Sequence, residues 1–217
     1  MTDIRIGIVC EGPTDFTVIK AALGSILGAR TFVPSLLQPD LDAMGGAGPN
    51  GSGWIGVQRW CQQNAPVTAS LGGYDLVVIH VDADIADDAR NDCVEPCPPA
   101  ENTVNRVTEL LVTWLTDAPN LLSHIAFFIP SKQTEAWIFA LLRSGELAGV
   151  PNLECLDSTM LFQSNPWKLV QQSGKKNSAR YREQEGRIRS AWETEPLALM
   201  KRFRRGVHWV LNGGNVA

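Results

Sequence analysis

The sequence predicts an α/β protein built on a parallel sheet flanked by helices. Short apolar runs rich in β-branched residues alternate with segments of helical periodicity, which is typical of β–α–β units. The strongest run lies at 74–84, and its part from Leu76 to Val81 is almost entirely apolar, as expected of a central strand covered on both faces. His80, inside this run, is expected to be a satisfied core residue. Right-handed crossovers then arrange the strands in one open, Rossmann-like sheet.

Each element follows from its local pattern. Residues 4–10 are apolar and β-branched and predict the first strand, while Phe16, Ile19 and Leu23 share one face of a helix predicted at 15–28. The elements predicted after these are a weak strand at 31–37, a glycine-rich loop at 45–56, a helix at 55–64, the central strand at 74–84, a loop at 85–101, a helix at 102–116, a strand at 125–129 and a helix at 131–147.

The pattern becomes polar and helical from about residue 150 onward, with Pro151, Pro166 and Pro196 as interruptions. We therefore expect a metal-binding α/β domain over residues 1–150 and a basic α-helical C-terminal extension over residues 151–217. A length of 217 residues suits one domain with a modest extension.

The composition is that of a folded protein. Hydrophobic residues make up 44% and charged residues 19% of the chain, which excludes a disordered or fibrous protein. No apolar run approaches the ~20 residues of a membrane helix, and the N-terminus does not resemble a signal peptide. The five cysteines are irregularly spaced, so we expect reduced thiols rather than a secreted disulfide framework. These features predict a cytoplasmic protein with no membrane association.

Charge is spread unevenly along the chain, whose formal net charge is −4. Residues 175–217 carry ten basic and four acidic side chains, so the acidic excess lies in the preceding part. A basic segment attracts polyanions by counterion release, although a solvated helix with internal ion pairs has the same composition. The candidate nucleic-acid-binding residues are Lys175, Lys176, Arg180, Arg182, Arg202, Arg204 and Arg205.

Acidic residues follow the apolar strands. Glu11 ends the first strand, and Asp82 and Asp84, two positions apart at the end of the central strand, are expected to project to the same side. In open parallel sheets, ligands bind beyond the carboxyl ends of the strands. Carboxylates gathered there repel one another, and a hard divalent cation such as Mg²⁺ or Mn²⁺ removes that repulsion. Asp15 and Glu135 start the helices after two of the strands, within reach of the same rim.

Structural roles stay open for some of these residues. Asp15 also suits a helix N-cap, and Glu135 equally suits capping of the helix that it begins. Lys132 equally suits a solvated loop. Asp82 and Asp84 together are harder to explain structurally, because two neighbouring inward carboxylates need partners.

The order of these motifs resembles the Toprim domain, which occurs in topoisomerases, bacterial primases and several nucleases. Segment 11–15, Glu-Gly-Pro-Thr-Asp, is similar to the family's Glu-Gly turn, and segment 81–84, Val-Asp-Ala-Asp, to its Asp-X-Asp strand end. Segment 129–137 resembles a third motif in Toprim-like bacterial proteins, several of which belong to mobile-element or phage-defence systems. The resemblance covers roughly residues 3–145 and is closest to small nucleases of the overcoming-lysogenisation-defect type.

The resemblance implies a metal-dependent nuclease that hydrolyses phosphodiester bonds in DNA or RNA. The implied metal ligands are Glu11, Asp15, Asp82, Asp84 and Glu135, and the implied catalytic residues are Glu11, Asp82, Asp84 and Lys132. Two Mg²⁺ or Mn²⁺ ions would activate a water and stabilise the leaving oxygen, while Lys132 would offset charge on the phosphorus. With a single metal, Glu11 would serve as general acid or base.

Two other functions stay open. A non-catalytic Toprim module would bind metal and nucleic acid, or dock onto a partner such as an ATPase or a defence-system protein. A small-molecule phosphohydrolase would turn over nucleotides instead of polymers. Neither Tyr74 nor Tyr181 is placed like a topoisomerase nucleophile. A homo-oligomer also stays open.

Overall fold

Four parallel strands form the sheet of the protein in a computed structural model. The strands are β1 (Ile4–Val9), β2 (Phe32–Gln38), β3 (Leu76–His80) and β4 (Ile125–Phe128), in the order β2–β1–β3–β4. The structure describes residues 3–40, 48–64, 73–88, 90–91, 93, 97–115, 119–143, 152–155, 167–171, 173–195 and 197–214. The predicted α/β class with a parallel sheet flanked by helices is confirmed.

Six α-helices accompany the sheet, and they are α1 (Pro13–Leu27), α2 (Gly53–Asn64), α3 (Ala100–Trp114), α4 (Thr134–Leu142), α5 (Ser178–Ala191) and α6 (Ala198–Leu211) among the described residues. Short 3₁₀ helices lie at Ala83–Asp87, Pro119–His124, Leu153–Cys155 and Trp192–Thr194. With right-handed crossovers, α1 covers one face of the sheet while α2 and α3 cover the other. Within the described ranges, none of these helices has the length and apolarity needed to cross a membrane.

Strand β1 pairs with both β2 and β3. In β1, Ile4 pairs with Phe32 of β2 and Ile6 pairs with Leu76 of β3. Every residue of β3 is buried, as its continuous apolar run predicts. Because all four strands are parallel, the loops after β1, β3 and β4 leave from the same edge of the sheet.

The C-terminal helices belong to the same hydrophobic core as the sheet. The ring of Phe128 in β4 lies 4.7 Å from Trp137, 5.8 Å from Trp192 and 4.9 Å from Phe203, measured between centroids. These partners belong to α4, to the 3₁₀ helix after α5 and to α6. The predicted extension is therefore helical and is packed into the α/β domain. The predicted boundary at residue 150 falls outside the described residues.

The central strand is shorter than predicted. β3 ends at His80, and the backbone then binds the segment that follows β4. The N–H of Ala83 donates to the carbonyl of Pro130 at 2.9 Å, and the N–H of Asp84 donates to that of Lys132 at 3.2 Å. The chain from residue 83 therefore turns into a 3₁₀ helix, because its hydrogen bonds go to a loop and not to a neighbouring strand.

Two cysteines form a disulfide, which corrects the expectation that all five thiols are reduced. Cys97, just before α3, is bonded to Cys155, with their Cα atoms 5.5 Å apart. The sequence did not indicate this pair, because 58 positions separate the two residues. Cys10, Cys61 and Cys93 are free and buried.

Candidate active site

The loops that leave the carboxyl ends of β1, β3 and β4 converge on one cavity. Its volume is about 350 Å³. Because β1 and β3 are neighbours whose following helices lie on opposite faces, the cavity lies at the topological switch point of the sheet. The lining residues are Glu11, Asp82, Asp84, Gln133, Glu135, Val170, Gly174 and Lys176. We call the carboxylates of Glu11, Asp15, Asp82, Asp84 and Glu135 the acidic centre.

Glu11 is tied to two neighbouring elements. Its Oε1 accepts a hydrogen bond from the backbone N–H of Asp82 at 2.8 Å. Its carbonyl accepts the N–H of Gly53 at 2.9 Å, and Gly53 adopts a φ of 68°, which favours glycine. Burial and the negative charge of Asp82 raise the pKa of Glu11 to about 8. Glu11 therefore retains a proton at neutral pH.

Asp82 is held in the site by several contacts to its Oδ1. Its Oδ1 accepts hydrogen bonds from the backbone N–H and the hydroxyl of Thr134, at 2.8 and 2.9 Å. Nε2 of His80 lies 3.3 Å from the same oxygen. Burial opposes ionisation, but Lys176 and His80 outweigh it and lower the pKa of Asp82 to about 2. Asp82 is therefore ionised and fixed in orientation.

His80 is buried, as predicted, and the structure adds a role beside the acidic centre. Its Nε2 lies 2.9 Å from the hydroxyl of Thr134. Burial lowers the pKa of His80, but the carboxylates of Asp15 and Asp82 raise it above its usual value overall. His80 therefore stabilises the ionised carboxylate of Asp82.

Asp84 lines the cavity, but not for the predicted reason. It lies in the 3₁₀ helix at Ala83–Asp87 and not on β3, so the alternation of strand side chains does not apply to it. Burial and the charge of Asp82 raise the pKa of Asp84 to about 6, against a hydrogen bond from Gln133. The two aspartates therefore line the same cavity with different pKa values, about 2 for Asp82 and about 6 for Asp84.

Lys176 is the cation at the centre of the site. Its Nζ lies 3.1 Å from Oε1 of Glu135, 3.4 Å from Oδ1 of Asp15 and 3.8 Å from Oδ2 of Asp82. The hydroxyl of Tyr181 donates to the same Oε1 of Glu135. Burial disfavours the charged ammonium, but Asp15 and Glu135 raise the pKa of Lys176 well above its usual value. The ammonium of Lys176 thus lies among the acids of the cavity, and its predicted contact with nucleic acid stays a prediction.

Asp15 and Glu135 are the most deeply buried acids of the centre, with 2% and 1% of their surfaces exposed. Each lies in the first turn of a helix, α1 and α4 respectively. Burial raises the pKa of Glu135 in spite of the nearby Lys176. Its Oε2 has no hydrogen-bond partner within the described part of the chain.

The carboxylates around Lys176 do not fit a metal ion as they stand. Among the described residues, no group of three or more His, Cys, Asp or Glu side chains is arranged to hold one. The donors are the carboxylate oxygens that Mg²⁺ prefers. Those of Asp15, Asp82 and Glu135, however, converge on Nζ of Lys176.

Lys132 does not join the residues that line the cavity. Its Nζ forms an ion pair with Oδ2 of Asp87 at 2.9 Å. The charge of Lys132 is therefore paired with a carboxylate of the 3₁₀ helix Ala83–Asp87, and its predicted catalytic role stays a prediction. The cation inside the cavity comes from Lys176 instead.

The candidate basic residues on α6 are engaged mainly with the chain itself. Arg202 donates to Oδ1 of Asn105 at 2.6 Å, and Arg204 forms an ion pair with Glu195. Arg205 is exposed. The part of the basic surface predicted at Arg202 and Arg204 is therefore used for internal packing.

The basic residues around the start of α5 are more accessible. Lys175 and Arg182 are exposed and flank the positions that reach the acidic centre. Arg180 is exposed as well and forms an ion pair with Glu183 at 2.7 Å, the kind of surface pair that contributes little to stability. Lys175 and Arg182 are each next in sequence to a residue of the site, Lys176 and Tyr181 respectively.

Thr134 and Tyr181 are site residues that sequence reasoning missed. Thr134 immediately precedes Glu135, so its position near the start of the predicted helix that follows a strand was a signal that could have been used. Tyr181 reaches Glu135 across 46 positions of the chain, and no local pattern indicates such a contact.

Comparisons of the chain with protein-family models, with curated proteins and with solved structures yield no match. The Toprim resemblance therefore stays a hypothesis carried by the motifs at 11–15 and 81–84.

Proposed function

We propose that this chain is a Toprim-like nuclease that hydrolyses phosphodiester bonds of DNA or RNA, in a bacterial phage-defence or mobile-element setting. The observation that carries the proposal is a single cavity at the switch point of the sheet. Its lining includes four carboxylates and one ammonium, from Glu11, Asp82, Asp84, Glu135 and Lys176.

The proposal includes Mg²⁺ as cofactor, with Mn²⁺ as an alternative. Asp82 and Asp84 would hold such an ion, which would supply an activated water and neutralise the charge of a phosphodiester. In the present arrangement Lys176 is the cation beside the carboxylates. With a third of its side chain exposed, Lys176 is accessible to a non-bridging phosphate oxygen.

Two carboxyl groups have protonation states suited to acid–base chemistry. Asp84, with a pKa of about 6, is mostly ionised at neutral pH and can accept a proton from the attacking water. Glu11, with a pKa of about 8, is mostly protonated and can give a proton to the oxygen that leaves phosphorus. The bond from water to phosphorus forms as the ester bond breaks. One proton is taken up and one is delivered.

Lys175 and Arg182 support a polymeric substrate. Both are exposed and are next in sequence to the site residues Lys176 and Tyr181, so they could contact phosphates that flank a scissile bond. Contacts to several phosphates make binding depend strongly on salt, whereas a single nucleotide shows little such dependence. We therefore favour a nucleic acid over a small phosphate ester.

A non-catalytic binding module is the second candidate, and one observation favours it. The ammonium of Lys176 already neutralises part of the acidic centre, so the carboxylates do not require a metal for folding. Such a module would bind nucleic acid, or a partner ATPase or other defence-system protein, without cleavage.

A cleavage assay tests the proposal. The protein would be incubated with plasmid, single-stranded DNA, total RNA and tRNA, in Mg²⁺, Mn²⁺ or EDTA. The Asp82→Ala/Asp84→Ala double variant removes two acids of the centre. Asp88→Ala is the matched control, because Asp88 pairs with Arg90 outside the cavity. Metal-dependent cleavage that only the double variant loses would support the nuclease. Binding without cleavage would favour the module.

A further inference from the structure

We propose that the ammonium of Lys176 takes one cation position of the acidic centre, so that the wild-type chain holds one divalent cation fewer than a chain without this ammonium. The inference rests on the proposed function for the class of metal, Mg²⁺ or Mn²⁺. It departs from the two-metal arrangement that the Toprim resemblance implies.

The geometry around Nζ is that of a bound cation. A lysine ammonium has three N–H donors, and three carboxylates, from Asp15, Asp82 and Glu135, lie 3.1–3.8 Å from Nζ. All three carboxylates are at most 10% exposed. A divalent ion at this point would need oxygen donors from the same three residues. The ammonium and a metal therefore exclude each other here.

A buried, unpartnered oxygen marks this point as a cation site. Oε2 of Glu135 has no hydrogen-bond partner in the described part of the chain, although the residue is 1% exposed and lines the cavity. The other oxygen of the same carboxylate has two partners, Lys176 and Tyr181. Lys176 therefore leaves one oxygen of Glu135 without a partner in the described part of the chain. A divalent ion at this point would bind that oxygen.

The backbone holds Lys176 in place. Lys176 forms an isolated antiparallel bridge with Val170, and the N–H of Asn177 donates to the carbonyl of Leu169 at 2.7 Å. Asn177 then caps α5, because its side chain accepts a hydrogen bond from the N–H of Arg180 at 3.3 Å. Withdrawing the ammonium would require breaking these bonds or turning the side chain away from three acids.

Part of the acidic centre remains available to a metal. Among the described residues, Lys176 forms ion pairs with Asp15, Asp82 and Glu135 but none with Glu11 or Asp84. Glu11 and Asp84 line the same cavity together with Asp82. Asp82 and Asp84 are where a divalent ion can bind while Lys176 stays in place, which leaves Glu11 as the proton donor.

The test counts bound ions on the full chain without nucleic acid. Protein stripped with EDTA is dialysed against Mn²⁺, and bound Mn²⁺ per chain is measured by elemental analysis and by calorimetry. Lys176→Met removes the charge and keeps the length of the stem. Lys175→Met is the matched control, because Lys175 is the exposed neighbour outside the cavity. We expect Lys176→Met to bind one Mn²⁺ more than the wild type, and Lys175→Met to match the wild type.

Several outcomes would overturn the inference. Equal counts in the wild type and in Lys176→Met would do so, even if the affinity changed, since an affinity change alone reports only a charge effect. A wild-type count of two ions would do so without any variant. If Lys176→Met does not fold without metal, Lys176→Gln replaces it, because its amide can still donate to Glu135.

Failure of this inference and failure of the proposed function are distinguishable. A gain of one ion in a protein that cleaves no nucleic acid would support the cation position and count against the nuclease. If the wild type cleaves nucleic acid but Lys176→Met binds no additional ion, the nuclease is supported and the cation position is refuted.

Discussion

The hydroxyl of Tyr181 donates a hydrogen bond to Oε1 of Glu135, and both side chains are buried. Tyr181 lies on α5 and Glu135 lies in the first turn of α4, directly after the loop that follows β4. The bond therefore joins the C-terminal helices to the acidic centre, next to the ion pair between Glu135 and Lys176.

Tyr181→Phe is expected to lower the free energy of unfolding by about 1–3 kcal/mol, because the buried Oε1 of Glu135 loses one of its two partners. Urea denaturation measures this change. Tyr74→Phe is the matched control, since Tyr74 packs against the guanidinium of Arg5, 5.5 Å from its ring centroid, outside the cavity. Equal losses in the two variants would show that the bond to Glu135 contributes nothing specific.

Glu11→Gln is expected to slow cleavage by about 10²–10⁴-fold, the usual contribution of a general acid or base. Wild-type activity should also fall as the pH rises through about 8, because Glu11 then loses the proton that it donates. A pH profile of single-turnover cleavage measures both effects. Glu183→Gln is the control variant, because the side chain of Glu183 is exposed on α5. An alkaline limb that persists unchanged in Glu11→Gln would refute this role.

Replacing Lys175 and Arg182 together by Gln is expected to weaken binding of the nucleic acid and to reduce the slope of log K against log salt by about 1–2. The control variant replaces Lys201 and Arg205 by Gln, because these two cations are exposed on α6, which adds no residue to the cavity lining. Binding is followed by fluorescence anisotropy over a salt series. Similar slopes in both variants would show that Lys175 and Arg182 do not form a specific binding surface for nucleic acid.

Glu154 is expected to make stability depend on pH. Burial and the charge of Glu101 raise the pKa of Glu154 to about 7 in the folded chain, from 4.5 without these effects. The folded state thus binds the proton more tightly, so this contribution is complete below about pH 4.5 and is lost as the pH rises to about 7.

The variant Glu154→Gln should lack that dependence, whose size is on the order of 3 kcal/mol between these pH values. Urea denaturation at pH 4.5 and pH 8 compares it with the wild type and with Glu109→Gln, an exposed acid on α3. If the difference between Glu154→Gln and the wild type were the same at both pH values, the raised pKa would be disproved.

Reduction of the disulfide is expected to destabilise the fold. Cys97 and Cys155 close a loop with a sequence separation of 58, for which chain entropy predicts a loss of about 4 kcal/mol. The double variant Cys97→Ser/Cys155→Ser should show this loss, and a reductant should lower the stability of the wild type but not of the variant. Unchanged unfolding curves on reduction would contradict the contribution.

Much of the fold could be predicted from local pattern. The apolar run at β3 and the acids after each strand follow from residue type and spacing, and the structure brings those acids to one edge of the sheet. The end of β3 could not be predicted, because Ala83 and Asp84 leave the strand to bind backbone carbonyls after β4. That contact depends on tertiary structure and not on the local sequence.

The cation of the site could not be identified in the same way. Lys132 lies close in sequence to Glu135, yet its charge is taken by Asp87. Lys176 reads locally as one member of a basic segment, and only the docking of α5 against α1 and α4 turns it toward the acids. Sequence spacing predicts the carboxylates because they follow strands, but it does not predict a lysine from a segment far along the chain.

The contact between Lys176 and Asp15 joins residues that are 161 positions apart. Contacts of such high sequence separation form late in folding, because the loop that they close must lose its conformational entropy first. During synthesis, all five acids of the centre emerge before their lysine does. Their mutual repulsion is therefore relieved only when the last helices dock. We expect the cavity to be the last part of the molecule to close.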